Sequence, residues 1–178
     1  FPRRDEYAVG AADPTDGEFN MAARSIDVFC WNDHFDTGLP TIDEQHRELV
    51  RTLNRLAAPI AVGADPELLG QVFSELPDYV ARHFASEEAL WHEYLADDPA
   101  EAEHQASHRS FARELALLDA ARLERPAAEV TAQAIGFLAR WLVAHILGSD
   151  RYLACVVRAR QEGLPLQAAM RQAREQMA

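Results

Sequence analysis

Apolar residues recur at three- and four-residue intervals along most of the chain, a spacing that lines one face of a helix. Ile42, Leu49, Val50, Leu53 and Leu56 form one such face and predict a helix from Thr41 to about Ala58. Thr41 and Glu44 have the spacing of a capping box, and Pro59 and Gly63 end the pattern. Asp65-Pro66 opens a second helix, reaching about Ala96 on the stripe Leu69, Val72, Phe73, Leu76 and Val80. Pro77 lies inside it and lacks a backbone donor, which predicts a kink or break. Asp98-Pro99, with Glu101 at capping-box spacing, starts a third helix that carries Phe111, Leu115 and Leu118 to about Arg122. A fourth follows Pro126 and runs through Val130, Ala134, Leu138, Leu142, Ile146, Leu153 and Val156 to Gly163. Four amphipathic helices on short connections pack antiparallel, so the expected fold is all-α, an up-down-up-down four-helix bundle over residues 26–163.

The flanks read differently. Residues 1–25 mix Pro, Gly, Asp and Arg without periodicity, and the expectation is a disordered or artificially appended arm, with a natural start at Met21. From Ile26 to Pro40 the chain is loop-like, with Trp31 and Phe35 expected to pack it onto the bundle. Residues 164–178 form a short amphipathic C-terminal segment with Met170, Ala173 and Met177 on one side.

The apolar stripes are interrupted by polar residues. His83 and Glu87 continue the stripe of the second helix, and His104 and His108 head the seam of the third. Residues at i and i+4 lie only about 40° apart on a helix, so each pair points one way, inward. His46 sits on the apolar face of the first helix; His145, with Asp150, belongs to the fourth. His34 falls in the arm, and His92 faces away from His83, so five of the seven histidines converge. Buried imidazoles and carboxylates need partners, and a metal ion is the simplest common one. Five imidazoles and two carboxylates without thiolate suit a first-row metal and exceed what one ion needs; two ions bridged by Glu87 and Asp150 would use them all.

Composition narrows the partners. A net charge of −12 argues against nucleic acid and anionic membranes. No uninterrupted apolar run of about 18 residues occurs, since Phe137–Leu147 is broken by Arg140 and His145, so a soluble cytoplasmic protein is expected. Cys30 and Cys155 are far apart and read as free thiols.

Taken together, Trp31, Thr41-Ile-Asp43-Glu-Gln45-His46, His83-Phe-Ala-Ser-Glu87-Glu88, His104-x-x-x-His108-x-x-Phe111 and Trp141-Leu142-x-x-His145-Ile146-x-x-x-Asp150 resemble the bacterial hemerythrins over about residues 29–157. The resemblance implies two non-haem iron ions with a bridging oxo or hydroxo group, one held by His104, His108 and His145 and the other by His46 and His83. Glu87 and Asp150 would bridge them, O2 would bind at the one open position, and the domain would bind a ligand rather than act as an enzyme. Ile42, Leu49, Phe84, Trp141 and Leu142 are candidates for a dry ligand pocket, with Trp91 where relatives usually carry Met. His145 and Asp150 are five apart, about 140° on a regular helix, so the turn through Gly148-Ser149 must distort.

The segment from Arg151 through Met170 also resembles the stretch that follows this domain in some bacterial diguanylate cyclases. It implies an oxygen or redox sensor whose output catalytic domain lies outside this chain. Two alternatives stand beside it: a stand-alone O2 storage or delivery protein, and a ferritin-like di-iron oxidase. The oxidase needs two Glu-x-x-His motifs, whereas only Glu101-x-x-His104 occurs, with Asp43-x-x-His46 as a poor second.

Overall fold

The computed structural model describes residues 27–61, 63–95 and 98–178; the expected arm at 1–25 and the start at Met21 lie outside them. Helices α1 (Pro40–Ala57), α2 (Pro66–Tyr94), α3 (Pro99–Ala121) and α4 (Ala127–His145) form the antiparallel up-down-up-down bundle. Each packs on its neighbours in sequence, and α1 meets α4 to close the ring. A π-helical turn, Ile146–Asp150, joins α4 to α5 (Arg151–Gln161), and α6 (Leu166–Met177) folds back along α5.

One core fills the bundle around Leu53, Leu56, Leu69, Val72, Leu76, Leu115 and Val130, and each such side chain stabilises the fold by about 1.5–3 kcal/mol. This explains why Pro77 leaves α2 unbroken. Leu76 and Val80 on either side are both buried in that core, which offsets the roughly 3 kcal/mol that an interior proline costs. The expected break is therefore absent, and the helix carries through to the site.

Two of the three expected caps differ from the sequence pattern. Asp65 caps α2 as expected, accepting from Glu67 and Leu68 N–H. Asp98 accepts from Ala100 N–H, but Glu101 receives the Gln105 amide instead of returning to complete the box. At α1 there is no box at all, because Pro40 begins the helix one residue before Thr41 and Leu39 offers no side-chain cap. The buried Asp43 ties down the preceding loop instead, accepting from Thr37 N–H and Oγ1 (2.7 Å each) and Gly38 N–H (3.0 Å). Gly38 has φ +83°, a conformation that strains any other residue, and a Cβ there would also displace the Arg158 guanidinium of α5, 2.7 Å away.

The arm is anchored chiefly by Phe29, whose N–H and C=O both pair with the Asn54 side chain. Trp31 and Phe35, the expected anchors, pack beside it half-buried. Gly163 (φ +93°) turns the chain after α5, with Leu164 N–H reaching back to Ala159 C=O. The span Ala127–Gln161 is long and apolar enough in composition to cross a membrane, a test that core helices also pass; here it carries core residues, His145 and Asp150.

Candidate metal centre

All seven residues singled out in the sequence come together near one end of the bundle, and all are at least 95% buried. His46 comes from α1, His83 and Glu87 from successive turns of α2, His104 and His108 from successive turns of α3, and His145 from the end of α4. Asp150 arrives through the π turn. That turn inserts one residue, so a pair five apart is brought to about the 40° separation of an ordinary i, i+4 pair. Asp150 Oδ1 consequently lies 3.2 Å from His145 Nε2. His34 and His92 are exposed and stand apart.

The imidazoles divide into two groups, and each carboxylate serves both. Glu87 turns Oε1 to His83 (3.2 Å) and His46 (3.5 Å), and Oε2 to His108 (3.0 Å), His104 (3.3 Å) and His145 (3.6 Å). Asp150 turns Oδ2 to His46 (3.2 Å) and Oδ1 to His145 and His104 (3.2 and 3.3 Å). In every contact the imidazole atom is Nε2. Two donors bonded to one ion at about 2.1 Å and at right angles lie about 3.0 Å apart, so these separations are those of ligands sharing a centre.

The same atoms are poor hydrogen-bonding partners for one another. His46 Nε2, His83 Nε2, both Glu87 oxygens and Asp150 Oδ2 are buried without a hydrogen bond despite their proximity. They aim between their neighbours rather than at them. A cation there would satisfy all of them, and the residues present fit a metal ion. Glu87, His104, His108 and His145 form one set able to hold an ion, and His46, His83 and Glu87 a second.

Electrostatics agree. Burial disfavours a charged His46, yet the Asp150 and Glu87 carboxylates beside it outweigh burial and raise its pKa to about 9; His104 reaches about 9 for the same reasons. His83 is the exception, where burial dominates and holds the ring neutral down to about pH 4. Burial opposes ionisation of Glu87, but the charge of His83 and the imidazoles of His104, His108 and His145 keep it well below the usual carboxylate range. With His83 neutral at pH 7, the latter three act there. Asp150 is also lowered, against burial and the Glu87 charge, by His145, His104 and His46. Without a metal the cluster thus holds protons where an ion would sit.

Outer partners orient three of the rings through Nδ1. Gln45 Oε1 lies 3.0 Å from His83 Nδ1, Glu88 Oε1 3.0 Å from His108 Nδ1, and the Ser107 and Ser149 hydroxyls each 3.4 Å from His145 Nδ1. Gln45 is itself fixed by donating its side-chain amide N–H to Ser86 Oγ, and its backbone carbonyl accepts from Tyr79 Oη. A proton kept on Nδ1 leaves Nε2 free as a donor to metal. In the sequence Gln45 and Glu88 stand only within the quoted motifs, and their roles as Nδ1 partners come from the structure.

A family model, the hemerythrin HHE cation binding domain, matches residues 37–157. The chain belongs to the hemerythrin family. It is 35% identical over 133 residues to the bacteriohemerythrin of Stenotrophomonas maltophilia, covering 74% of this chain and 83% of that one. The Pseudomonas aeruginosa bacteriohemerythrin is 32% identical over 121 residues (67% and 75%), and the hemerythrin-like protein of Naegleria gruberi 31% over 130 residues (73% and 94%). A solved hemerythrin point mutant superposes with a TM-score of 0.63 at 26% identity, covering 74% of this chain and 98% of that one.

Within this hemerythrin the six pocket candidates do not line one wall. Phe84 stacks on His108 (3.7 Å, 6°) and Trp141 on His145 (4.0 Å, 19°), and both pack against Phe111. Leu49 and Leu142 belong to the same apolar core, and Ile42 is buried one helical turn before His46. Trp91 lies apart, tilted over His104 at 5.3 Å and joined to a second apolar cluster with Leu153, Val156, Ala169, Met170 and Ala173.

Proposed function

We propose that the domain holds two non-haem iron ions, binds O2 between its helices, and serves as an oxygen or redox sensor rather than as an enzyme. The observation that carries this reading is the division of Glu87 and Asp150, each with one oxygen toward either group of imidazoles. His104, His108 and His145 would hold one ion and His46 and His83 the other, bridged by both carboxylates and an oxo or hydroxo group. The His46/His83 side is one imidazole short, and that is the place for an exogenous ligand. Two ferrous ions would supply a bound ligand with two electrons.

The chain's own residues supply what ligand binding at such a centre requires. The Nδ1 partners keep the rings neutral at Nε2 and fixed in orientation. Glu87, His46 and Asp150 are buried, and Phe84 and Trp141 stack on His108 and His145, which keeps bulk water and stray protons from the centre. The donor set has five imidazoles against two carboxylates, fewer anionic donors than the ferritin-like oxidases use, and this favours binding over oxidation.

The sensor role draws support from α5, which leads out of Asp150 directly and packs along α6. A change at Asp150 would be felt there first, and the resemblance of this stretch to the segment before a diguanylate cyclase domain suggests such an output in the cytoplasm. Iron analysis with a visible spectrum, recorded anaerobically after reduction and followed on admitting air, tests the function. Two irons per chain and rapid passage to a diferric spectrum are expected. A persistent oxy spectrum would favour a carrier instead, and zinc or no metal would refute the reading. Hydrogen exchange along α6 should differ between reduced and oxidised protein; identical exchange would remove the sensor role.

A further inference from the structure

His83, His108 and His145 are steered by hydrogen bonds at Nδ1, whereas His104 Nδ1 is buried and has no such partner among the described residues. The His104 ring must be held by what packs on it. Two neighbours are other imidazoles of the cluster, His145 stacked at 4.9 Å and His108 edge-on at 4.1 Å. The third is Trp91, tilted over the ring at 5.3 Å. Trp91 is fixed in turn. It is fully buried, lies 5.9 Å from the Tyr152 ring, and belongs to the cluster that Leu153 and Val156 of α5 and Ala169, Met170 and Ala173 of α6 build. Its indole Nε1 has no hydrogen-bond partner among the described residues, so packing alone sets its place. Interiors as dense as molecular crystals leave such a ring little room to shift.

Tyr152 adds a polar tie at the same place. Asp98 accepts from Ala100 N–H with Oδ1 (2.9 Å) and from the Tyr152 hydroxyl with Oδ2 (3.1 Å). One buried carboxylate therefore caps α3 and fastens its start to α5, two residues beyond Asp150. Helix ends fray, and His104 stands only in the second turn of α3. The tie holds that turn where His104 Nε2 lies 3.3 Å from Asp150 Oδ1.

We propose that Trp91 and the Asp98–Tyr152 pair are positioning residues for His104, aiming its Nε2 into the three-imidazole group by packing and by a fastened helix start. They replace the Nδ1 hydrogen bond that His83, His108 and His145 receive. The proposal rests on the metal reading of the cluster, but not on iron, O2 or a sensor role.

The test uses the full chain at one fixed pH, metal-free and then loaded with zinc. In the metal-free protein, with isotope-labelled histidine, the ring signals of His104 and His46 are followed by nuclear magnetic resonance. Trp91→Leu should broaden or split the His104 signal and leave that of His46 as in wild type. Trp91→Phe, which keeps an aromatic face and drops the unpaired N–H, should restore a single signal, and Tyr152→Phe should broaden it less than Trp91→Leu. With zinc, chelator competition should show the ion of the three-imidazole group weakened about tenfold in Trp91→Leu, as loss of an outer partner does, and the ion beside His46 and His83 unchanged. A His104 signal unchanged in Trp91→Leu, His46 disturbed as much as His104, or equal weakening of both ions would each overturn the proposal. Wild-type protein that binds no zinc would refute the metal reading instead, and the ring signals would still decide whether Trp91 positions His104.

Discussion

The two halves of the cluster are built from the same donors but held differently. Around His104, His108 and His145 three imidazoles converge, two of them with Nδ1 partners from Glu88 and from Ser107 and Ser149. Around His46 and His83 only two converge, and only His83 has such a partner, the neutral amide of Gln45. The first half is over-determined and the second is open. With two ions bound as proposed, this contrast would separate a firmly held ion from an exchangeable one, and it can be pushed from either side.

The largest effect should come from the carboxylates, which belong to both halves. Glu87→Ala and Asp150→Ala remove one oxygen from each group, and both are expected to abolish metal binding entirely, measured as metal content per folded chain. Single imidazole losses should then split the halves. His46→Ala leaves one imidazole on its side and should cost that ion alone, giving about half the wild-type metal, whereas His108→Ala leaves two and should retain more. Equal losses from the two variants would show the halves to be equivalent.

Acidity offers a third probe, because protons and metal compete for the same atoms. In the metal-free protein His46 and His104, raised from 6.5 to about 9, contribute stability that is fully present below pH 6.5 and lost as pH rises through 9. His83, lowered to about 4, contributes stability that is present above pH 6.5 and lost as pH falls through 4, and Glu87 and Asp150, both held below their ordinary carboxylate values, lose theirs as pH falls further. The Tm of metal-free protein should therefore peak near pH 6.5. Metal displaces the protons of His46 and His104, so the Tm gap between loaded and metal-free protein should widen from pH 6.5 to 9. Parallel Tm curves would contradict it.

The contrast between halves also marks how far sequence could be read. The seven inward residues are legible because each interrupts an apolar stripe at helical spacing, and a polar residue on such a face must find a partner. The π turn is legible only as a conflict: a step of five positions from His145 to Asp150 does not fit a regular helix, and Gly148-Ser149 is where it yields. Gln45 and Glu88 carry no such mark. Each follows or precedes a core residue by one position, about 100° round the helix, where a polar side chain is ordinarily solvated. Their roles arise from the neighbouring helix, since Gln45 on α1 serves His83 on α2 and Glu88 on α2 serves His108 on α3. The unbroken helix at Pro77 and the missing Thr41/Glu44 box have the same reason, that tertiary contacts override a local signal.

The smallest predicted effects lie in these outer partners, and they discriminate the halves most finely. Gln45→Leu removes the acceptor for His83 Nδ1–H in the half with fewer donors, and leaves that N–H buried without a partner. Loss of such a partner typically weakens metal binding about tenfold to a hundredfold. Glu88→Gln keeps an acceptor near His108 and removes only a charge from a side chain 40% exposed, where solvent already screens it. Its effect should fall below tenfold and be confined to the three-imidazole half. Chelator competition, following the first and second ion separately, measures both. A larger loss in Glu88→Gln than in Gln45→Leu would mean that the carboxylate on His108, and not the count of imidazoles, sets which ion is held more firmly.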